Sequence, residues 1–201
     1  RNNINSAGLN LVRIIAEHYP DCTISHINFD HHLTHAATAS YSSPFSEAAC
    51  AVIDSFGENG SMGFYHYKNQ QLEWLYETRG TGSLGFYYMK ITELCGFDWL
   101  KGEEWKVMGL APYGEPLYAD LIKEKLIKVA EDGSFQLDMS YFDYATGLTM
   151  TNKKFDALFG GPPRTSETEL TQREMDLAAS VQKVTEDTII QIAKGIAKET
   201  G

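Results

Sequence analysis

The sequence predicts an α/β domain, or its α+β variant, in which a three-stranded meander within a mixed sheet is followed by helices. Three observations carry this expectation. Residues 47–79 hold three runs of strand character separated by short turn signals. Segments 5–18, 83–96 and 171–200 repeat apolar residues at helical spacing. The composition, 43% hydrophobic and 22% charged over 201 residues, suits a packed chain with one sizeable core.

Each element follows from its own residues. In NSAGLNLVRIIAEH (5–18), Leu9, Val12, Ile15 and Ala16 share a helical face, and Pro20 stops the pattern. CTISHIN (22–28) reads as a short strand. Asp30 is an N-cap for a helix that runs to about Tyr41. EAACAVIDS (47–55) is a nearly continuous apolar run ending in Asp, the pattern of a buried strand. Gly57 and Gly60 then bracket a turn. GSMGFYHYK (60–68) and QLEWLYETR (71–79) alternate apolar and polar residues about a turn at Lys68-Asn69-Gln70.

The character changes after residue 80. SLGFYYMKITELCG (83–96) is helical in pattern, and KGEEWKVMGLAPYG (101–114) carries a short helix stopped by Pro112 and Gly114. LYADLIKEKLIKVAEDG (117–133) reads as one amphipathic helix with a glycine stop. Residues 134–168 are irregular and aromatic-rich, with GGPPR at 160–164. Thr171 and Glu174 form a capping box at the head of a helix over 171–200, long enough to pack against a partner such as a second copy.

Charge excludes some functions. Seventeen basic residues stand against 27 acidic ones, net −10, and no Lys/Arg cluster is dense enough to follow a phosphate backbone, so no nucleic-acid partner is expected. No apolar run reaches the roughly 18 residues of a membrane span and no signal peptide opens the chain, so no membrane partner is expected. Cys22, Cys50 and Cys95 form no C-x-x-C pair and are expected as reduced, mostly buried thiols of a cytoplasmic protein. The chain opens at Arg1 without Met and closes in a helical pattern, as a piece of a longer protein would. Residues 1–201 are therefore expected to form one partial domain.

The stretch DHHLTHAATAS (30–40) holds half of the six histidines. His31 and His35, four apart, share a face of a helix, a spacing that lets two imidazoles hold one metal. The H-E-x-x-H protease pattern is absent, because His32 stands where its glutamate would be. Asp54, at the carboxyl end of a strand, is the candidate third ligand. Two imidazoles and a carboxylate suit a divalent metal such as iron, manganese or zinc. The plainer alternative is a pair of helix-capping histidines and an aspartate that forms the turn before Gly57. His32 is either a general base or a supporting or surface residue.

Three segments in order, HHLTHAA, VIDSFGENGS and GEEWKVMGLAPYG, resemble the O-carbamoyltransferases of the nodulation-protein and antibiotic-tailoring type. The resemblance is strongest over residues 22–115, and the segment 102–114 is its most specific part. It implies an actin-like (ASKHA) ATPase-type domain joined to a YrdC-like domain. The YrdC-like domain would make carbamoyl adenylate from carbamoyl phosphate and ATP. The actin-like domain would pass the carbamoyl group to a hydroxyl of a sugar or other small acceptor. The implied metal is Fe²⁺ before other divalent ions, its ligands mapping to His31, His35 and Asp54. Gly57, Glu58, Gly60 and Ser61 resemble the strand-turn-strand loop that approaches nucleotide phosphates.

Several roles are expected on this basis. His32 is the candidate base for the acceptor hydroxyl, and Lys106 the candidate contact to a phosphate or the carbamoyl oxygen. Glu103 or Glu104 would orient a hydroxyl, Tyr87, Tyr88 and Tyr113 would line a sugar pocket, and Arg79 would meet an anion. Each has packing or solvent exposure as its alternative. The resemblance also implies an earlier phosphate loop before Arg1, and a later loop with a last aspartate ligand beyond Gly201. This chain alone is thus expected to be inactive. Two other readings compete: a related metalloenzyme of tRNA threonylcarbamoylation, and a non-catalytic binding module with a structural metal.

Overall fold

Short polar side chains start the helices where the sequence places them. In the computed structural model, which describes residues 2–57, 59–79, 82–143 and 152–201, Asp30 accepts the Leu33 N–H at 3.0 Å and opens helix α2, His31–Tyr41. It follows helix α1, Asn2–His18. Ser83 likewise caps α3, Leu84–Leu94, by accepting the Phe86 N–H at 3.1 Å. The Glu174 carboxylate accepts from the N–H and hydroxyl of Thr171 at 3.0 and 2.6 Å, closing the expected box on the last helix, Gln172–Thr200.

The meander is present. Strands β1 (Glu47–Ile53), β2 (Gly60–Lys68) and β3 (Gln71–Arg79) pair antiparallel in that order. Asn69 and Gln70 turn the second hairpin with positive φ of 52° and 59°, the conformation a two-residue hairpin loop needs. β2 is central and almost wholly buried, its side chains alternating between two layers. Tyr65 meets Ala36 and Val52 on the α2 side; Met62 and Phe64 meet Ile192 and Ile196 on the other.

Beyond β3 the chain builds a second packed region. It comprises α3, α4 (Glu104–Leu110), α5 (Ala119–Lys125), the hairpin β4–β5 (Ile127–Val129 and Phe135–Leu137) and α6 (Lys153–Leu158). Helices α3, α4 and α5 pack directly on α7, the helix Gln172–Thr200. Leu177, Val181 and Val184 on the first half of α7 enter this core with Tyr87, Ile91, Val107 and Phe155. The second half supplies Ile192 and Ile196 to the sheet, so one helix serves both cores. Its apolar face is spent within the chain, and Ile189 and Ile190 remain outside at 40% and 51% exposure.

Four expectations change. Residues 22–28 are irregular and largely exposed, because no neighbouring strand among the described residues pairs with them and a lone strand has no hydrogen-bond partner. β1 is a strand but an edge one, only partly buried, since β2 covers it on one side alone. The helix read over 117–133 stops at Lys125. Ile127 and Val129, β-branched, instead pair with Leu137 and Phe135, and Gly133 takes the hairpin turn with φ 86°. Its periodicity misleads because Leu126 and Ile127 are both buried, one below the helix and one in the strand. Finally, both sheets are antiparallel throughout the described residues, so the meander stands without a mixed sheet.

The three cysteines are free thiols, but only Cys95 is buried; Cys50 is half-buried and Cys22 exposed. No helix among the described residues is long and apolar enough to cross a membrane.

Candidate metal centre

The cap at Asp30 puts His31 in the first turn of α2 and His35 one turn on, so their rings share one face and meet edge to face with centroids 4.6 Å apart. β1 ends at Ile53, and Asp54 follows at its carboxyl end, held there by two bonds. Its N–H donates to the Ser61 carbonyl at 2.9 Å, and its own carbonyl accepts the Ser83 hydroxyl at 3.2 Å. Helix and strand end converge so that a ligand atom from each of His31, His35 and Asp54 lies within 4.8 Å of the others. Among the described residues no other three such groups gather this way.

The Nε2–H of His31 donates to Asp54 Oδ2 at 2.6 Å. The second carboxylate oxygen accepts the Ser55 N–H at 2.6 Å. Burial pushes the Asp54 carboxyl up, while these bonds from His31 and Ser55 pull it down by more, so it stays ionised below the usual carboxylate range. Two imidazoles and an ionised carboxylate are a donor set for a borderline divalent cation, which here would replace the proton shared by His31 and Asp54. The residues fit the metal. A groove of about 400 Å³, lined by His35, Ala39 and the strand residues Cys50 to Asp54, opens beside them.

The other expected residues distribute differently. His32 is not on the surface: it is 3% exposed, packed against Gly57 and Gly63. Gly57 donates its N–H to the Gly60 carbonyl at 2.6 Å, closing the turn. Gly60 leaves no room for a side chain, because a Cβ there would fall 1.8 Å from the Thr78 carbonyl oxygen. The Ser61 hydroxyl donates to the Gly82 carbonyl at 3.0 Å and is buried. Glu58 lies outside the described residues.

Lys106 donates to Glu103 at 2.6 Å and rests over Phe97 and Trp105, a separate cluster on α4. Tyr87 is fully buried in the helical core, Tyr88 donates to Gln182 at 2.9 Å, and Tyr113 is exposed, so the three do not line one pocket. Arg79 donates to Glu77 at 3.3 Å on the rim of a cavity of about 730 Å³ between β2, β3, the hairpin tip and the end of α7. None of the three metal-group residues lines that cavity.

Two residues of the centre escaped the sequence reading. Ser55 holds the Asp54 carboxylate, and Ser83 both caps α3 and holds the Asp54 backbone. Ser83 was visible as a helix-start signal before an apolar run; its reach to Asp54, 29 positions away, was not.

Comparison with known proteins places the chain in a family. The sequence is 48% identical over 172 residues to an uncharacterised protein of Synechocystis sp., covering 86% of this chain and 28% of that one. It is 28% identical over 178 residues to the nodulation protein NolNO of Sinorhizobium fredii (88% of this chain, 24% of that one). To the nodulation protein NolO of Bradyrhizobium diazoefficiens it is 25% identical over 173 residues (86% and 29%). The chain thus spans between 24% and 29% of these relatives' lengths. Residues 11–201 match the model of the carbamoyltransferase N-terminus, and the chain belongs to the carbamoyltransferase family as an N-terminal portion of it.

Proposed function

We propose that this chain is the metal-binding part of an O-carbamoyltransferase with an actin-like domain. In the full-length protein it takes part in moving a carbamoyl group from carbamoyl phosphate, by way of carbamoyl adenylate and at the expense of ATP, to a hydroxyl of a small acceptor. The observation that carries this is the convergence of His31, His35 and Asp54 within 4.8 Å in a chain of this family. A YrdC-like domain of the same polypeptide supplies the adenylate, and the relatives' extra length leaves room for one.

His31, His35 and Asp54 hold the divalent metal, Fe²⁺ by preference. Bound there, it supplies a Lewis acid that stabilises negative charge developing on the carbamoyl oxygen. The chain's own residues do the rest. Ser55 and Ser83 fix the carboxylate and backbone of Asp54, so that the third ligand is set before the cation arrives. The turn from Gly57 to Ser61, where glycines let the backbone come close to an anion, would meet the adenylate phosphate. The groove along the end of β1 admits the acceptor past His35.

The test is an anaerobic calorimetric titration of the full-length protein with Fe²⁺, Mn²⁺ and Zn²⁺, beside His31→Ala, His35→Ala and Asp54→Ala. Stoichiometric binding lost in each folded variant, together with loss of carbamoyl transfer, supports the reading. Full transfer activity in any of the three would reject it. Loss of metal without loss of transfer would favour a structural metal.

A further inference from the structure

Asp54 is set by the head of helix α3 as well as by its own strand. Ser83, the cap of α3, donates its hydroxyl to the Asp54 carbonyl at 3.2 Å. Ser61, whose carbonyl accepts the Asp54 N–H, donates its own hydroxyl to the Gly82 carbonyl at 3.0 Å. Ser61 and Ser83 are 1% and 0% exposed, so water does not compete for these bonds.

Gly85, the second residue of α3, lies against the next link. A Cβ there would fall 2.6 Å from the Ser55 Cα, 2.7 Å from its nitrogen and 3.0 Å from its Cβ. That nitrogen carries the N–H that donates to Asp54 Oδ1, while Oδ2 accepts from His31. Glycine is a poor helix former, and Gly85 has an ordinary helical backbone. The close approach of Ser55, not the backbone conformation, is therefore what requires glycine.

Carbon atoms rest about 3.5–4.0 Å apart, so an alanine would force a retreat of roughly 1 Å. The helix is the less yielding side, because Leu84, Tyr87, Ile91 and Leu94 hold α3 in the helical core at 2% exposure or less. Ser55 follows the end of an edge strand and is the side that gives way. Its displacement carries the Asp54 carboxylate along, and metal–ligand distances tolerate only about 0.2 Å.

We propose that the head of α3 positions the metal centre, with Gly85 as its positioning residue. Gly85 contributes no ligand atom and acts through the Ser55 N–H that seats the Asp54 carboxylate. This rests on the reading of His31, His35 and Asp54 as a metal site.

The experiment titrates Mn²⁺ into the full-length protein and follows urea unfolding beside it. Gly85→Ala is expected to weaken Mn²⁺ binding by about 10–100-fold, the range for a change behind the ligands. Gly195→Ala is the control, because its Cβ would crowd the Asp132 carbonyl oxygen at 1.9 Å, at the hairpin tip rather than at Asp54. It should lose stability and keep the wild-type Mn²⁺ affinity. Equal affinity in wild type and Gly85→Ala overturns the proposal. An equal loss in both glycine variants overturns it too, since affinity would then follow stability alone. If Gly85→Ala does not fold, Ser83→Ala removes the bond to the Asp54 carbonyl without adding an atom. It should also weaken Mn²⁺ binding, and unchanged affinity there overturns the proposal. A wild-type protein that binds no Mn²⁺, Fe²⁺ or Zn²⁺ rejects the metal reading and this inference with it. Binding that His31→Ala abolishes and Gly85→Ala keeps rejects this inference alone.

Discussion

His31 Nε2 and Asp54 Oδ2 stand 2.6 Å apart across 23 positions of sequence, the first in the opening turn of a helix and the second just past the end of a strand. That contact fastens α2 to the sheet at the point where His35 also arrives. Removing either partner is expected to cost more in divalent-metal affinity than the roughly 10–100-fold loss typical of an outer-shell change. Because both substitutions dismantle one site, His31→Ala with Asp54→Asn should lose little more than either alone. Titration of Mn²⁺ into the two single variants and the double variant measures this; fully additive losses would mean that the two residues do not share a cation.

The thiols should separate by reactivity. Burial pushes the Cys95 thiol up to about 12, and the carboxylate of Glu174 adds to the rise, so its thiolate is scarce at neutral pH. Cys22 is exposed. A disulfide reagent at mildly alkaline pH should label Cys22 at once and Cys95 only on unfolding. Equal rates for the two in folded protein would contradict the helical core around Cys95.

Lys90 is wholly buried on α3, beside Glu93 at 3.4 Å and over the Phe155 ring. Burial pushes its ammonium down to about 8 from an ordinary 10.5, and Glu93 restores only part. Between about pH 8 and 10.5 the unfolded chain keeps a proton that the folded one has released, so this group makes stability rise with pH across that window. Tyr76 and Cys95, each raised to about 12, act in the opposite sense at alkaline pH because the folded chain retains their protons. The comparison with Lys90→Met isolates the lysine: wild type should gain on the variant as pH climbs through the window in urea unfolding. Parallel curves would refute the buried charge.

Two glycines should respond to alanine with opposite signs. Gly195 on α7 receives the hairpin tip so closely that a Cβ would fall 1.9 Å from the Asp132 carbonyl oxygen. Gly195→Ala should destabilise by about 1–3 kcal/mol, as overpacking does. Gly109, exposed on α4 with nothing within 4 Å of its Cβ position, should give about 0.4–1 kcal/mol of added stability on Gly109→Ala, by restricting the unfolded chain. Denaturant midpoints of the two variants decide it; a shift in the same direction for both would place the hairpin tip elsewhere.

Much of the architecture was legible because its signals are local. Asp30, Ser83 and Thr171 with Glu174 cap helices through residues three positions away, and such bonds form wherever those residues meet a helix start. The alternation in 60–68 and 71–79 reported the meander because one strand between two layers must face both ways. The failures also have a common cause. Residues 22–28 and 117–133 carry patterns that two structures satisfy equally well, and the choice depended on distant partners: a neighbouring strand that the first lacks among the described residues, and Phe135–Leu137 with α7 for the second.

The sequence by itself determined the pieces of the centre: two histidines on one helical face, an aspartate closing a strand, glycines around the turn, and the family those segments belong to. Only the tertiary structure decided that α2 lies across β1 and β2, bringing His31 to Asp54, that Ser83 reaches back to brace that aspartate, and that His32 is enclosed with an unmet nitrogen. The physical reason is that spacing along a chain sets which face a side chain occupies. Which faces meet is settled by the burial of Ala36, Val52 and Tyr65 against one another, a contact that no local pattern encodes.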